Sequence, residues 1–388
     1  MAAQPTLKLE QFRPGFSDDE LAGLQQSLKA ARLPAETYAS RQKKYGITHA
    51  WMKQAIERWQ NEFDWKKHEA SINEVDHFLT DVEDQGVTYK IHFIYHQSSD
   101  PNAIPLLLLH GWPGSAFEFL EVVKILREST TQSFHLIAPM EPGYGWSSPP
   151  PLDRGFGMFD CARLLDKLML GLGFTDGYAV QGGDIGSGLA RILAIKHNAK
   201  AIHINYYPAV APPDDASERH QIKPHEEQAL ERAKEFQTTG RGYAIEQGTR
   251  PGTIGIVVGS SPISLLAWLA EKFHAWTDED PSVDTILAIA TFWWLRDSYP
   301  TSIWAYADFI HTGVGIFHND PKNYVDKPFG FSSFAKEISS TPEAWAGRNG
   351  NLQFYRYHEK GGHFAASERP KEFAQDMIDC FTKIYPRK

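Results

Sequence analysis

The sequence is poor in cysteine and in positive charge. Its 388 residues include only two cysteines, Cys161 and Cys380, and neither belongs to a C-x-x-C pair. Two cysteines can form at most one disulfide bond, which cannot stabilise the fold of a chain of this length. We therefore expect neither a disulfide scaffold nor a cysteine zinc site. The 39 lysines and arginines are outnumbered by 48 aspartates and glutamates, which gives a formal net charge of -9 without any basic tract. Nucleic acid, whose phosphates require a positive field, is therefore not an expected partner.

Long hydrophobic runs and a secretory signal are also missing. The longest aliphatic run, Ile104–Leu109, is far shorter than the roughly 20 apolar residues that span a bilayer. The N-terminus shows no basic stretch followed by an apolar one. We therefore expect a cytoplasmic protein without a membrane anchor. With 42% hydrophobic and 22% charged residues, the chain can bury a core of its own.

Short apolar runs alternate with helical patterns along most of the chain. Strands without polar alternation that are separated by helices indicate a mostly parallel sheet covered on both faces, so the fold class is α/β. The predicted strands are 87–95, 105–109, 134–138, 178–180, 201–205, 329–331 and 352–355, and the predicted helices between them include 159–172, 188–197 and 370–384.

The chain divides into four parts. Residues 1–85 have a helical pattern and form a leading segment without a sheet of its own. The first part of the α/β core is 86–210 and the second part is 316–388. Between them, 211–315 is helical in pattern, which predicts a lid over the carboxyl ends of the strands, where such sheets bind ligands.

The string Gln181-Gly182-Gly183-Asp184-Ile185-Gly186-Ser187 follows a predicted strand and precedes a predicted helix. It has the layout of a nucleophile elbow, a strained turn that lifts one side chain to the top of the sheet, and here that side chain is the carboxylate of Asp184. Glycines on both sides allow strand and helix to cross closely. A plainer interpretation is that Asp184 only caps the helix. A phosphate cradle is disfavoured because the G-K-[ST] and G-x-G-x-x-G orders are absent.

Two further strings carry candidate functional groups. In His110-Gly111-Trp112-Pro113-Gly114, a turn with a proline can aim the backbone N–H of Trp112 at the elbow, where it would form an oxyanion hole with the N–H of Ile185. We expect His110 itself to be structural. In Gly361-Gly362-His363-Phe364, a histidine on a loop after the last strand is a candidate general base. Glu337 can orient it, although chain order leaves other acids open: Asp308, Asp320, Asp326 and Glu359.

With the HGWPG string, Asp184 and His363 following one another along the chain, the sequence resembles the epoxide hydrolases of the α/β-hydrolase superfamily, and most closely their microsomal-type and fungal soluble branch. Further strings support the resemblance over nearly the whole chain: residues 242–251, 261–262, 265–268 and 361–366. Ile185 departs from many relatives, which have tryptophan there; the backbone N–H survives this change, but the pocket wall differs.

The resemblance implies a two-step mechanism. Asp184 would form a covalent ester with the epoxide, and His363, oriented by Glu337, would activate the water that hydrolyses it. Two lid tyrosines that donate to the epoxide oxygen fall on Tyr243 and Tyr306. We expect the substrate pocket to be lined by the neighbours of these groups: Trp112, Pro113, Ile185 and Phe364. The partners are then a small-molecule epoxide and water, with no cofactor or metal, and relatives make a homodimer through the lid plausible.

Three alternatives stay open. A haloalkane dehalogenase also uses an elbow aspartate, but it needs side-chain N–H donors for a halide, which Ile185 cannot supply. A non-catalytic binding protein could keep the same scaffold. A biosynthetic enzyme could use the same site to open one particular epoxide, and the sequence cannot separate it from a general detoxifying enzyme.

Overall fold

The computed structural model describes residues 5–208, 222–312 and 321–386. Within these ranges nine strands form one sheet. In chain order they are β1 (Glu10–Phe12), β2 (His77–Asp84), β3 (Val87–His96), β4 (Ile104–Leu109), β5 (Phe134–Pro139), β6 (Tyr178–Gly182), β7 (Ala199–Ile204), β8 (Val325–Phe334) and β9 (Gly350–His358).

Helices cover the sheet. The α-helices are α1 (Asp18–Ala30), α2 (His49–Asn61), α3 (Trp65–Ile72), α4 (Leu120–Arg127), α5 (Met158–Gly171), α6 (Asp184–Lys196), α7 (Pro224–Glu235), α8 (Gly242–Thr249), α9 (Pro251–Gly259), α10 (Pro262–Trp276), α11 (Val283–Leu295), α12 (Ser298–Ser302), α13 (Trp304–His311), α14 (Glu343–Ala346), α15 (Ala365–Glu368) and α16 (Pro370–Ile384). Single turns of 3-10 helix lie at Ala39–Arg41, Lys43–Tyr45, Ala116–Phe119, Pro321–Asn323 and Gly347–Asn349, and a π-helical turn lies at Phe236–Gly240.

The sheet is mostly parallel, as the sequence predicts. Its strand order is β1-β2-β3-β5-β4-β6-β7-β8-β9. The strands from β5 to β9 along this order pair in parallel, whereas β1, β2 and β3 form an antiparallel edge. In β4 all residues but Pro105 are fully buried, because helices pack on both faces of the central strands. The register of the parallel pairing places the carboxyl ends of β4 and β6 side by side.

The leading segment has no separate sheet, but two strands interrupt its helical pattern. It contributes β1 and β2 to the sheet, and β2 pairs with β3 along its whole length. The sequence pattern hides β2 because this strand lies near the sheet edge, where Asp81 and Glu83 are exposed while their neighbours are buried. Charged residues at such a spacing do not produce the continuous apolar run that identifies a central strand.

Helices α7 to α13 lie between β7 and β8 in the chain, over the carboxyl ends of the strands. The expected lid limits at 211 and 315 fall outside the described residues. Two contacts tie the leading segment to helix α11: the Trp59 indole N–H donates to the Thr291 hydroxyl over 2.9 Å, and Arg58 binds Asp284 over 2.5 and 2.8 Å. Because Trp59 and Thr291 are both fully buried, the leading segment and the lid form a continuous packed layer.

Among the described residues, no single helix is long and apolar enough to cross a membrane, whereas the sharply bent pair α9 and α10 meets that length and composition only when taken together.

Helix α6 crosses β4 at very short range. A Cβ atom added to Gly186 would lie 2.5 Å from the carbonyl oxygen of Leu109 and 2.7 Å from that of His110. These are backbone atoms of a central strand and cannot swing aside as a flexible side chain can. Gly186 therefore sets how closely helix α6 approaches the carboxyl end of β4.

Replacing Gly186 with alanine should lower the free energy of unfolding by about 1–3 kcal/mol, since the added methyl overpacks a rigid crossing. Chemical denaturation measures this difference. Gly252→Ala in helix α9 is the matched control, because nothing lies within 4 Å of a Cβ at that position. Equal unfolding free energies for the two variants would contradict the steric argument.

Candidate active site

Asp184 occupies the elbow between β6 and α6. Its φ is +47°, in the left-handed region that non-glycine residues rarely adopt, so the turn is strained as an elbow requires. The helix begins at Asp184 itself rather than near Gly188, and its N-cap is Gly183, without a side-chain capping bond. The carboxylate instead accepts a hydrogen bond from the backbone N–H of Trp112, at 2.9 Å from Oδ1. The Asp184 side chain therefore bonds to the backbone of Trp112 and does not serve mainly as a helix cap.

The turn after β4 brings Trp112 to the elbow. The Trp112–Pro113 peptide is cis. Gly111 leaves room for Asp184, since a Cβ at position 111 would collide with the Asp184 side chain. His110 supports the turn from behind: the backbone N–H of Glu141 donates to its Nε2, and its Nδ1 lies 3.1 Å from the carbonyl of Gly111. Burial lowers the pKa of His110 to about 4, so this ring is neutral and structural.

The N–H of Ile185 is the second candidate donor of the oxyanion hole. Ile185 is buried and lies in the first turn of α6. The N–H groups of a first helical turn have no partner within the helix, so they are available to a charge that develops at the elbow.

His363 bridges Asp184 and Glu337. Its Nε2 lies 3.3 Å from Oδ2 of Asp184, and its Nδ1 lies 2.7 Å from Oε1 of Glu337. The loop holds the ring in place, because the backbone N–H of His363 donates to the carbonyl of Trp276 over 2.8 Å. Gly361 supplies the left-handed turn before it, with a φ of +100°. The structure thus brings together the acid, base and nucleophile candidates that lie far apart in sequence.

Two carboxylates control the protonation of His363. Burial alone would lower the pKa of its imidazole, but the charges of Glu337 and Asp184 and their hydrogen bonds outweigh burial and hold this pKa well above its ordinary value. The ring is therefore an imidazolium while both carboxylates are ionised. If Asp184 lost its charge, one of the two opposing groups would vanish and the pKa of His363 would fall.

Within the described residues, the other acids that chain order allows as partners of His363 do not replace Glu337 beside its ring. Asp308 accepts from the backbone N–H of Met158, and Asp326 pairs with Lys327 at the surface. Glu359 is exposed. Asp320 lies outside the described residues.

The two tyrosines implied by the resemblance meet above Asp184. Tyr243 on α8 and Tyr306 on α13 have ring centroids 5.7 Å apart. The indole of Trp112 stacks on Tyr243 at 5.3 Å and contacts Tyr306 edge-on at 5.7 Å. Burial, followed by the negative charge of Asp184, raises the pKa of the Tyr243 hydroxyl; burial, followed by Tyr243 and Asp184, raises that of Tyr306. Both phenols therefore stay protonated and can donate.

The four expected pocket residues lie around this site. Trp112 and Phe364 border a small cavity beside Asp184 and His363. Pro113 and Phe364 also border a cavity of about 450 Å³ on the side of the leading segment. Ile185 is buried next to the nucleophile. Among the described residues, no group of three or more His, Cys, Asp or Glu side chains is arranged to hold a metal ion.

Sequence reasoning misses three residues near His363. Tyr206 and Trp276 contact its ring edge-on, at centroid distances of 5.4 and 5.1 Å. Tyr206 follows the carboxyl end of β7, a position that could have identified it. Trp276 ends a lid helix and carries no local signal. The third is Glu118, which shares the small cavity with His363 and stands in a Ser-x-x-Glu capping box after the HGWPG string.

Comparisons with known proteins agree over the whole chain. A family model for the epoxide hydrolase N terminus matches residues 9–119, and one for the alpha/beta hydrolase fold matches 104–255. Epoxide hydrolase 1 of Sus scrofa is 31% identical, covering 97% of this chain and 89% of its own length. The structure of Aspergillus niger epoxide hydrolase matches with a TM-score of 0.91 and 39% identity over 98% of both chains. That of juvenile hormone epoxide hydrolase from the silkworm Bombyx mori has a TM-score of 0.86 and 27% identity, over 98% of this chain and 95% of its own. The resemblance inferred from the motifs is confirmed.

Replacing Asp184 with asparagine should lower the pKa of His363 by about 1–3 pH units, because it removes one of two carboxylate charges while keeping the shape of the side chain. An NMR titration of histidine-labelled protein measures the shift. Asp326→Asn, which removes a surface charge of the same kind, should leave this pKa unchanged. A pKa that does not move in Asp184→Asn would contradict the electrostatic pairing.

Proposed function

Because the chain belongs to the epoxide hydrolase family of the α/β-hydrolase fold, we propose that it opens an epoxide to a vicinal diol in two steps, through a covalent ester on Asp184. One observation carries the mechanism. The carboxylate of Asp184 lies between the N–H of Trp112 and Nε2 of His363, and two protonated phenols face it from the lid. A nucleophile, an acid pair and a base therefore converge on one point.

The first step is alkylation of Asp184. A carboxylate oxygen attacks one ring carbon of the epoxide, the bond from that carbon to the epoxide oxygen breaks, and the oxygen takes a proton from a tyrosine. An epoxide oxygen is a poor leaving group until it receives a proton or strong hydrogen bonds, and the phenols of Tyr243 and Tyr306 supply these. The product is a hydroxyalkyl ester, which divides one difficult reaction into two easier ones.

The second step is hydrolysis of that ester. Alkylation removes the charge of Asp184, so the pKa of His363 falls. The imidazolium proton then passes to the tyrosinate left by the first step, and the neutral ring can act as a base. His363, paired with Glu337, takes a proton from water as the water oxygen attacks the ester carbonyl carbon. Negative charge then develops on the carbonyl oxygen, and the N–H groups of Trp112 and Ile185 stabilise it. The bond between the carbonyl carbon and the alkyl oxygen breaks as His363 gives its proton to that oxygen, and the diol leaves. The acid proton that remains on Asp184 then passes to His363, which restores the carboxylate and the imidazolium.

A single turnover in ¹⁸O-labelled water tests this sequence of bonds. With enzyme in excess over an aryl epoxide, the label should enter the peptide that contains Asp184 and stay out of the first diol, because water attacks the ester carbonyl and not the epoxide carbon. Mass spectrometry of the peptide and the diol gives both values. Label in the first diol would reduce Asp184 to a general base.

His363→Gln is the companion variant for the same assay. It preserves a side chain of similar size but removes the base, so the reaction should stop at the ester and the intact protein mass should rise by one epoxide. Ester that hydrolyses at the wild-type rate in this variant would exclude His363 from the second step.

Tyr243→Phe should slow alkylation by about tenfold or more, because one of two proton donors is lost. Rapid-quench kinetics measures alkylation separately from hydrolysis. Tyr299→Phe is the matched control, since the Tyr299 hydroxyl is also buried in the lid but donates to Gln247. Equal alkylation rates in both variants would remove Tyr243 from the acid role.

A further inference from the structure

The small cavity beside Asp184 and His363 has room for one water molecule. It leaves about 20 Å³ in which the centre of a water molecule can lie, and one water needs roughly 10–15 Å³. Its walls are polar where they meet the nucleophile and the base, and they include Glu118, Gln181 and Asn205. A cavity of this size and polarity holds water rather than staying empty.

Gln181 gives an independent sign of a missing partner. Its Nε2 donates to Oδ1 of Asn205 over 2.7 Å, which fixes the amide orientation. Its Oε1 is buried and has no hydrogen-bond partner among the residues that the structure describes. Buried polar atoms are nearly always paired, with protein or with ordered water. An acceptor is therefore free in the wall of a cavity that fits one water.

Glu118 reaches the same cavity from the turn after the HGWPG string. Its Oε1 accepts the backbone N–H of Ser115 at 3.0 Å, which leaves Oε2 free of the turn. Gly114 provides the space, because a Cβ at that position would collide with the Glu118 carboxyl. Burial raises the pKa of Glu118 to about 8. Near neutral pH this carboxyl can therefore donate to a water as well as accept from one.

A second cavity supplies a route for water. The cavity of about 450 Å³ shares Glu118 and Phe364 with the small one. It runs between the leading segment, the core and the lid, and it is bordered at its outer end by the exposed residues Ser71 and Asp280. Glu118 thus stands where the wide cavity from the protein surface meets the one-water cavity.

We propose that the small cavity is the binding site of the hydrolytic water and that Glu118 positions this water next to His363. The proposal rests on the proposed two-step function. The water oxygen attacks the ester carbonyl carbon, one of its protons passes to Nε2 of His363, and its other hydrogen stays bonded to Glu118. The proton on His363 then passes to the diol oxygen as the carbonyl carbon–oxygen bond breaks. Water approaches from the wide cavity and the epoxide from beneath the lid tyrosines.

Rapid-quench single turnovers with styrene oxide separate the role of Glu118 from that of a structural cap. Glu118→Met should leave alkylation near the wild-type rate and slow ester hydrolysis by about tenfold or more, because an unheld water is poorly aligned. Glu118→Gln keeps polar atoms of the same reach and should recover most of the hydrolysis rate. Glu121→Met is the control, since Glu121 lies on the following helix and is exposed beside Lys124.

Each result has a defined meaning. Selective loss of hydrolysis in Glu118→Met with recovery in Glu118→Gln supports the proposal. Wild-type hydrolysis in Glu118→Met, or an equal slowing of both steps, overturns it. If Glu118→Met does not fold, a crystal structure of the wild type decides. A water within hydrogen-bond distance of Glu118 and His363 supports the proposed water site, and a dry cavity overturns it. A wild-type enzyme that forms no ester would overturn the two-step mechanism itself, whereas normal hydrolysis in Glu118→Met would overturn only the role of Glu118.

Discussion

The hydrogen bond from the backbone of Trp112 to Asp184 depends on a crossing that only glycine allows. Gly186 permits helix α6 to touch the carbonyls at the end of β4, and Gly111 leaves space for the carboxylate. If either position carried a side chain, the turn and the elbow would separate and Asp184 would lose the donor that orients it. The ring of Trp112 also packs against Tyr243 and Tyr306. Trp112 therefore links Asp184 in the core with the two tyrosines in the lid.

In the proposed mechanism, the charge balance around His363 sets the order of the two steps. While Asp184 is ionised, the imidazole is held as a cation between two carboxylates and cannot take a proton from water. Esterification of Asp184 would leave only Glu337 as an opposing charge, and the ring would then lose its proton and become a competent base. The proposed alkylation would thus itself convert His363 into a base. Tyr206 and Trp276 close off the ring on their sides, which keeps the pair of carboxylates in a weakly screening environment.

The sequence identifies the parts of the site whose signal is local. Asp184 and His363 stand in short glycine-rich strings at strand ends, so their positions follow from strand order and turn chemistry alone. Glu337 cannot be chosen from four other acids by spacing, because only the fold shows which carboxylate reaches the imidazole. The tyrosines come from family resemblance, since nothing in a helix pattern tells which ring faces the core. The contacts of Trp276, which are made across the chain, and the charged strand β2 leave no local pattern to detect, whereas the Ser-x-x-Glu string identifies Glu118 only as part of a capping box.

The ties between the leading segment and helix α11 also define what can be exchanged between related proteins. The buried Trp59–Thr291 hydrogen bond and the Arg58–Asp284 ion pair anchor the lid from outside the α/β core. A chimaera that carries a foreign lid would leave the indole N–H of Trp59 buried without an acceptor and Arg58 without its partner. The unpaired groups would lower the stability of the chimaera, whatever substrate the foreign lid selects. The modular unit for recombination is therefore the lid together with helix α2, although the two are far apart in the sequence.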